Sequence, residues 1–177
     1  KKLSDAGLID FADLDVAVEP DQFHLGMPSV FIKPHVYRPY VEAVRSAAGK
    51  VPVLSVLGRL TSVADGDAAI SAGVCDMVGA ARALIAEPNL LKYAFEGTED
   101  LGRTCIACNW CMAGLYDATQ TCTVNPVAWR ERAWGELPPA AKKSKVVVVG
   151  GGPGGMEAAR TAKLRGHDVV LFEARDK

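Results

Sequence analysis

Four of the five cysteines fall within 18 residues: Cys105-Ile-Ala-Cys108-Asn-Trp-Cys111 and, after ten intervening residues, Cys122. A cubane 4Fe–4S cluster takes four thiolates, one per iron, and three thiols two residues apart with a distant fourth can supply that set. A structural zinc competes for the same sulfurs. Such sites usually pair two separated CxxC arms or combine Cys with His, and no histidine lies near in sequence. Disulfides fit least, because nothing in the sequence points to an oxidising compartment. Iron–sulfur is the preferred reading and zinc the alternative. Cys75, in an apolar run, reads as a core cysteine. Trp110, between two of the thiols, either shields the site or fills a core.

A second chemistry is written in glycine. Val146-Val-Val-Val149 leads into Gly150-Gly-Gly152-Pro-Gly-Gly155, a G-x-G-x-x-G run between an expected strand and an expected helix. Such glycines allow a tight turn, let the backbone approach a pyrophosphate and permit close helix–strand packing, with phosphate at the helix N-terminus. Glu173 stands 18 residues beyond Gly155, where a carboxylate can take a ribose 2′-hydroxyl, which favours FAD, ADP or NAD over NADP. The plain alternative is a glycine-rich turn without a ligand. Gly58-Arg59 and Gly79-Ala80-Ala81-Arg82 end two earlier strand-like runs. Backbone N–H groups there could bind phosphate, with arginine adding a charge-assisted contact. Alone they would be ordinary turns with surface arginines. His24 and His35 lie in one long loop. His24 is the candidate general base, with an intrinsic pKa near ~6.5, and a hydrogen-bonded surface role is the alternative for both. His167 reads as structural or solvated.

The elements that must position these groups alternate. Asp13–Val18, Val51–Val56 and Cys75–Val78 read as strands. Tyr40–Ala48, Ala64–Ala72 and Ala83–Phe95 read as helices, the first two closed by Gly49 and Gly73, the third broken near Pro88. This alternation predicts parallel βαβ units. A Pro/Ala/Lys-rich stretch, 137–143, reads as a linker. Beyond it, Val146–Val149, a helix from about Gly154 to Arg165 and Asp168–Phe172 open a further βα unit.

Over 177 residues the formal net charge is −1, 49% of residues are apolar and 23% charged, which suits a globular protein. Near-neutral charge argues against a nucleic-acid partner. No apolar run approaches the ~20 residues that span a bilayer. The first residues, Lys1-Lys-Leu-Ser-Asp-Ala-Gly7, lack the apolar segment of a signal peptide, so a cytoplasmic location is expected.

Taken in order, Gly58-Arg59-Leu-Thr61, Gly79-Ala-Ala-Arg82-Ala-Leu-Ile-Ala-Glu-Pro88, the cysteine cluster and the Gly150–Gly155 turn resemble the multidomain old yellow enzyme relatives. That group contains trimethylamine dehydrogenase, dimethylamine dehydrogenase and 2,4-dienoyl-CoA reductase. The resemblance covers nearly the whole chain. It implies an α/β architecture: residues 1–97 as the C-terminal βα units of an FMN-binding (β/α)8 barrel, 98–143 as a 4Fe–4S segment and linker, and 144–177 as the start of a Rossmann-like FAD- or ADP-binding domain. Gly58, Arg59, Gly79, Ala80 and Arg82 would hold the FMN phosphate. Cys105, Cys108, Cys111 and Cys122 would ligate the cluster, and Gly150, Gly152, Gly155 and Glu173 would hold FAD or ADP.

Within the group, the CxxCxxC triplet, Pro28-Ser-Val-Phe31 and Pro39-Tyr-Val41 resemble the amine dehydrogenases more closely. The resemblance therefore implies an FMN/iron–sulfur oxidoreductase acting on an N-methylated amine. An NAD(P)H-dependent ene-reductase is the alternative, and a zinc-stapled nucleotide-binding non-enzyme a second one. Expected partners are a small-molecule substrate, NAD(P)H or an electron-transfer flavoprotein, and a second copy of the chain as a homo-oligomer. Three βα units cannot close an eight-stranded barrel. The chain is therefore expected to be an internal fragment that does not hold FMN or turn over substrate by itself.

Overall fold

The computed structural model describes residues 1–16, 23–114 and 119–176. Each apolar β-branched run that the sequence offers becomes a parallel strand, though usually a shorter one. The chain divides into two compact units, Lys1–Trp129 and Arg130–Lys177.

In the first unit β1 (Ala12–Leu14), β2 (Val53–Ser55) and β3 (Met77–Val78) form a parallel sheet in the order β1-β2-β3. Ala12 pairs with Val53 and Leu54 with Met77. All three expected strands of this unit are longer than those found. Val18 lies outside the described residues. At β3 the ladder is prolonged through Asp76, whose backbone N–H donates to the Val53 carbonyl and whose Oδ2 accepts from the Val53 N–H, both at 2.8 Å. Cys75 is buried just before that strand, as a core cysteine should be.

Helices α1 (Lys2–Asp5), α2 (Phe23–Gly26), α3 (Arg38–Ala48), α4 (Val63–Ser71), α5 (Ala81–Ala86) and α6 (Leu90–Glu96) complete the alternation. Pro39 in its first turn lets α3 begin two residues earlier than expected, because a first-turn N–H has no helical partner to lose. Gly49, at φ +64°, ends it. Ser62 caps α4 by accepting the Asp65 N–H at 3.1 Å. The expected break near Pro88 separates α5 from α6: Glu87, before the proline, is driven to φ −140° and ψ 96°. One cluster of buried residues, Tyr37, Val41, Ala48, Val53, Leu57, Ala69, Val74 and Cys75, ties α3 and α4 to β2. The cysteine segment packs within this unit and adds the short helix α7 (Trp110–Ala113).

In the second unit, after the short helix α8 (Glu131–Trp134), β4 (Lys145–Val149) pairs in parallel with β5 (Asp168–Phe172) along all five residues, joined by α9 (Pro153–Leu164). The Pro-rich stretch is tied to the end of α9, since Ala140 N–H donates to the Arg165 carbonyl at 2.9 Å. His167 has a structural role: its Nδ1 accepts the Ser144 N–H at 3.2 Å. Among the described residues no helix is long and apolar enough to cross a membrane.

Candidate functional site

The ends of all three strands of the first unit open into one cavity. Its walls are Asp15 and Val56, the run Gly58–Thr61, the run Gly79–Arg82, the loop at Gly26 and Met27, and Cys105 and Met112. Both Gly–Arg sites expected to hold phosphate therefore face the same space. Gly58 has φ +84°, and a Cβ there would meet Val36 at 2.9 Å and the Tyr37 ring at 3.1 Å, so only glycine fits. Tyr37 is fully buried; its hydroxyl donates between the carbonyls of Leu25 (2.5 Å) and Gly26 (2.8 Å) and so fixes the loop that forms one wall. Burial, then the Asp15 carboxylate, push its pKa up to about 12.

The two arginines are held by protein acceptors. Arg59 Nη1 donates to the Ser29 carbonyl at 2.9 Å. Arg82 Nη1 donates to the Pro28 carbonyl at 2.7 Å and to Asn109 Oδ1, and its Nη2 donates to the Gly58 carbonyl at 3.0 Å. Three of the five guanidinium N–H donors are thus committed, which leaves at most two for a phosphate. Arg82 is a hub as well as a wall.

A smaller cavity adjoins, lined by Cys105, Cys108, Cys111 and Cys122 together with Arg82, Ile85 and Asn109. All four thiols singled out in the sequence are brought to one space. Burial, then the neighbouring thiols of Cys105, Cys122 and Cys108, raise the Cys111 pKa, while Arg82 pulls the other way. The Ala107 N–H points at Cys105 Sγ (3.4 Å), and Cys108 Sγ lies 3.1 Å from Thr123 Oγ1. Such N–H and O–H contacts stabilise thiolates. Among the described residues no three His, Cys, Asp or Glu side chains stand close enough to close around a single ion.

Three polar contacts strap this segment to α5 and its end. Arg82 reaches Asn109, buried Asn125 donates to the Ile85 carbonyl at 2.9 Å, and buried Glu87 accepts the Arg103 N–H at 3.2 Å. Trp110 is 56% exposed, so in this unit it neither fills a core nor is itself covered.

Sequence reasoning missed Asp15, Asn109, Glu87 and Asn125. Asp15 had a readable signal, an acid at the end of an apolar strand; the other three act on groups 16 to 82 residues away and carry none. His24 is exposed and is not among the residues that line the cavity. His35 has φ +57° and a buried Nε2 without a hydrogen-bond partner.

In the second unit, the glycine turn and Glu173 meet. Glu173 accepts the N–H groups of Gly151 at 2.6 Å and Arg175 at 2.9 Å, and these bonds hold its carboxyl below the usual carboxylate range. Gly152 caps α9 without a side-chain hydrogen bond and Pro153 has no N–H, so Gly154 and Gly155 supply the first N–H groups of that 12-residue helix. This is the geometry of a backbone anion site.

Residues 142–177 match the family of pyridine nucleotide-disulphide oxidoreductases. The chain is 38% identical over 168 residues to an NADH oxidase of Thermoanaerobacter brockii, covering 93% of this chain and 24% of that protein. It is 37% identical to a cinnamate reductase of Clostridium sporogenes, covering 86% of this chain and 23% of that protein. Among solved structures, 6-hydroxypseudooxynicotine amine oxidase from Pseudomonas geniculata N1 superposes with a TM-score of 0.87 at 32% identity, over 99% of this chain and 26% of that one. The chain belongs to the old yellow enzyme-like oxidoreductases. It spans about a quarter of the length of these relatives. The family resemblance drawn from the glycine–arginine and cysteine motifs is thereby established, and with it membership of an enzyme class.

Proposed function

We propose that this chain is the part of an iron–sulfur flavoprotein oxidoreductase that holds FMN and a 4Fe–4S cluster next to each other. The observation that carries the reading is the shared wall: Arg82 and Cys105 line both the cavity of the two Gly–Arg sites and the cavity of the four thiols. In this reading the three βα units are the last three of a (β/α)8 barrel, whose phosphate sites lie where Gly58 and Gly79 lie, after the final two strands. The residues present fit both groups. Gly58 and Gly79 keep the backbone bare at the cavity floor, where a Cβ at 79 would press on Val56 at 3.2 Å. The spacing of the sulfurs favours a cubane, which offers four separate irons, over a structural zinc, which usually takes two separated CxxC arms or a Cys/His set.

When bound, FMN and the cluster would supply two-electron and one-electron chemistry respectively. The chain's own residues place them. Gly58, Arg59, Gly79, Ala80 and Arg82 orient a phosphate, Asp15 sets a carboxylate at the cavity mouth, and the four cysteines anchor iron beside Arg82. Gly150, Gly152, Gly155 and Glu173 would take the pyrophosphate and ribose of FAD or ADP. The substrate class best supported is an N-methylated amine, on the CxxCxxC triplet and the near-complete superposition on an amine oxidase. An ene-reductase driven by NAD(P)H is the second reading, favoured by the relatives named NADH oxidase and cinnamate reductase.

The test is anaerobic purification of the enzyme that contains this chain, with iron, sulfide, zinc and flavin analysis. The expected protein is brown and yields about four irons and one FMN per chain. Cys108→Ala should bleach the iron–sulfur absorbance and leave FMN bound. A colourless protein with one zinc per four thiols would overturn the cluster assignment. Flavin bleaching by a methylated amine, without NADH, selects the first substrate reading; bleaching by NADH alone selects the second.

A further inference from the structure

The side chain of Asn109, between Cys108 and Cys111, reaches back to Met27 and Arg82, which line the flavin-side cavity. Its backbone is left-handed, at φ +59°, which aims the side chain away from the chain's own path. From there Nδ2 donates to the Met27 carbonyl at 2.7 Å, and Oδ1 accepts from Arg82 Nη1. Arg82 in turn holds the Pro28 and Gly58 carbonyls. A backbone bond from Val30 N–H to the Ala107 carbonyl, 3.0 Å, runs alongside. Met27 and Gly58 line the larger cavity, Asn109 the smaller, and Arg82 both. One amide thus closes a hydrogen-bonded ring that passes through both walls. Burying the Arg82 charge there without an acceptor would be costly, so the ring holds one geometry.

We propose that Asn109 is a positioning residue that clamps the thiolate loop to Arg82 and so sets the rate at which electrons pass between the flavin cavity and the thiolate cavity. The proposal rests on the reading that these cavities hold FMN and the cluster. With both groups bound, each transfer would move one electron from reduced flavin to oxidised cluster; the flavin would lose an N–H proton to solvent, and an external one-electron acceptor would re-oxidise the cluster before the second electron. The rate of each transfer depends on the separation of the two groups and on the positive charge beside the cluster. Both are properties of the Asn109–Arg82 contact.

Two substitutions keep the left-handed backbone, since glycine and aspartate both tolerate it. Asn109→Gly deletes both side-chain bonds. Asn109→Asp keeps an acceptor for Arg82 and loses only the donation to Met27. The full-length enzyme is purified with its flavin and iron, reduced with substrate in a stopped-flow instrument, and followed at separate flavin and cluster wavelengths. The cluster is also characterised by electron paramagnetic resonance and by its midpoint potential. Asn109→Gly should slow cluster reduction about tenfold or more relative to flavin reduction, in line with the loss of a charge-assisted bond. It should also shift the resonance of the reduced cluster. Asn109→Asp should restore most of the rate while lowering the midpoint potential, because it sets a second charge beside the irons. Wild-type cluster kinetics and resonance in Asn109→Gly would overturn the proposal, as would a loss of iron that Asn109→Asp fails to rescue. A wild-type enzyme that itself lacks iron and flavin would overturn the underlying reading along with it, and metal analysis alone tells that case apart.

Discussion

A Cβ at position 155 would lie 1.9 Å from the Gly150 carbonyl oxygen, inside any permitted contact. The third glycine of the G-x-G-x-x-G run is thus required by the close approach of α9 to its own loop, not only by a ligand. Gly154, one residue earlier, has nothing within 4 Å of a Cβ. Gly155→Ala is therefore expected to cost about 1–3 kcal/mol or more of stability through forced backbone movement. Gly154→Ala should be neutral or stabilising by up to about 1 kcal/mol, since alanine favours the helix. Thermal unfolding of the two variants, with the affinity for ADP measured alongside, checks the contrast; equal melting of both would refute it. The glycine spacing was legible in the sequence because it is a local requirement with a fixed period. So was the convergence of Glu173 on the turn, because parallel β4 and β5 in register bring the end of one strand to the end of the other. Asn109 was not legible. Its partners, Met27 and Arg82, lie 82 and 27 residues away, and nothing in its neighbourhood distinguishes it from a turn asparagine.

At the scale of elements, α5 is only six residues long, yet it holds much of the site. Its Arg82 sits between the two cavities, its Ile85 carbonyl receives Asn125, and Glu87 at its end receives the backbone of Arg103. The sequence showed where this helix stops, because a residue before proline cannot stay helical. It did not show that the cysteine segment is fastened there, since a fastening is made of single long-range bonds without periodicity. The fastening can be tested at Asn125, which is 4% exposed and lies three residues past Cys122. Its amide donates to Ile85 and its Oδ1 accepts the Val127 N–H at 3.1 Å. Asn125→Ala takes these partners from the part-buried Ile85 carbonyl and Val127 N–H, at about 1–3 kcal/mol for the pair lost. Its expected signature is local: faster hydrogen exchange across 103–113 and faster iron loss to a chelator, with the exchange of α3 unchanged. Uniformly faster exchange would mean a general loss of stability instead.

For the whole molecule, each of the two units carries a small parallel sheet among the described residues, three strands in the first and two in the second. Parallel sheets are ordinarily covered on both faces, which is why their strands are apolar on both sides. In the second unit α9 covers the face of Val146 and Val148, which are half-buried. Val147 and Val149 face the other way at 57% and 85% exposure, paired in register with Val170 and Phe172 at 37% and 58%. Four large apolar side chains side by side form a patch, and such a patch marks a contact surface or an aggregation site. The 177-residue chain on its own is therefore expected to self-associate and to bind a hydrophobic dye. Val149→Lys sits at the end of β4, where a long side chain can reach water. It should shift sedimentation toward monomer and lower dye binding, with the unfolding midpoint unchanged because position 149 contributes little packing. In the longer enzyme the same substitution should be markedly destabilising, because a covering layer would then bury the charge at a cost of several kcal/mol. Monomeric behaviour of the wild-type chain at every concentration, or an equal effect of Val149→Lys in both contexts, would show that this face needs no cover.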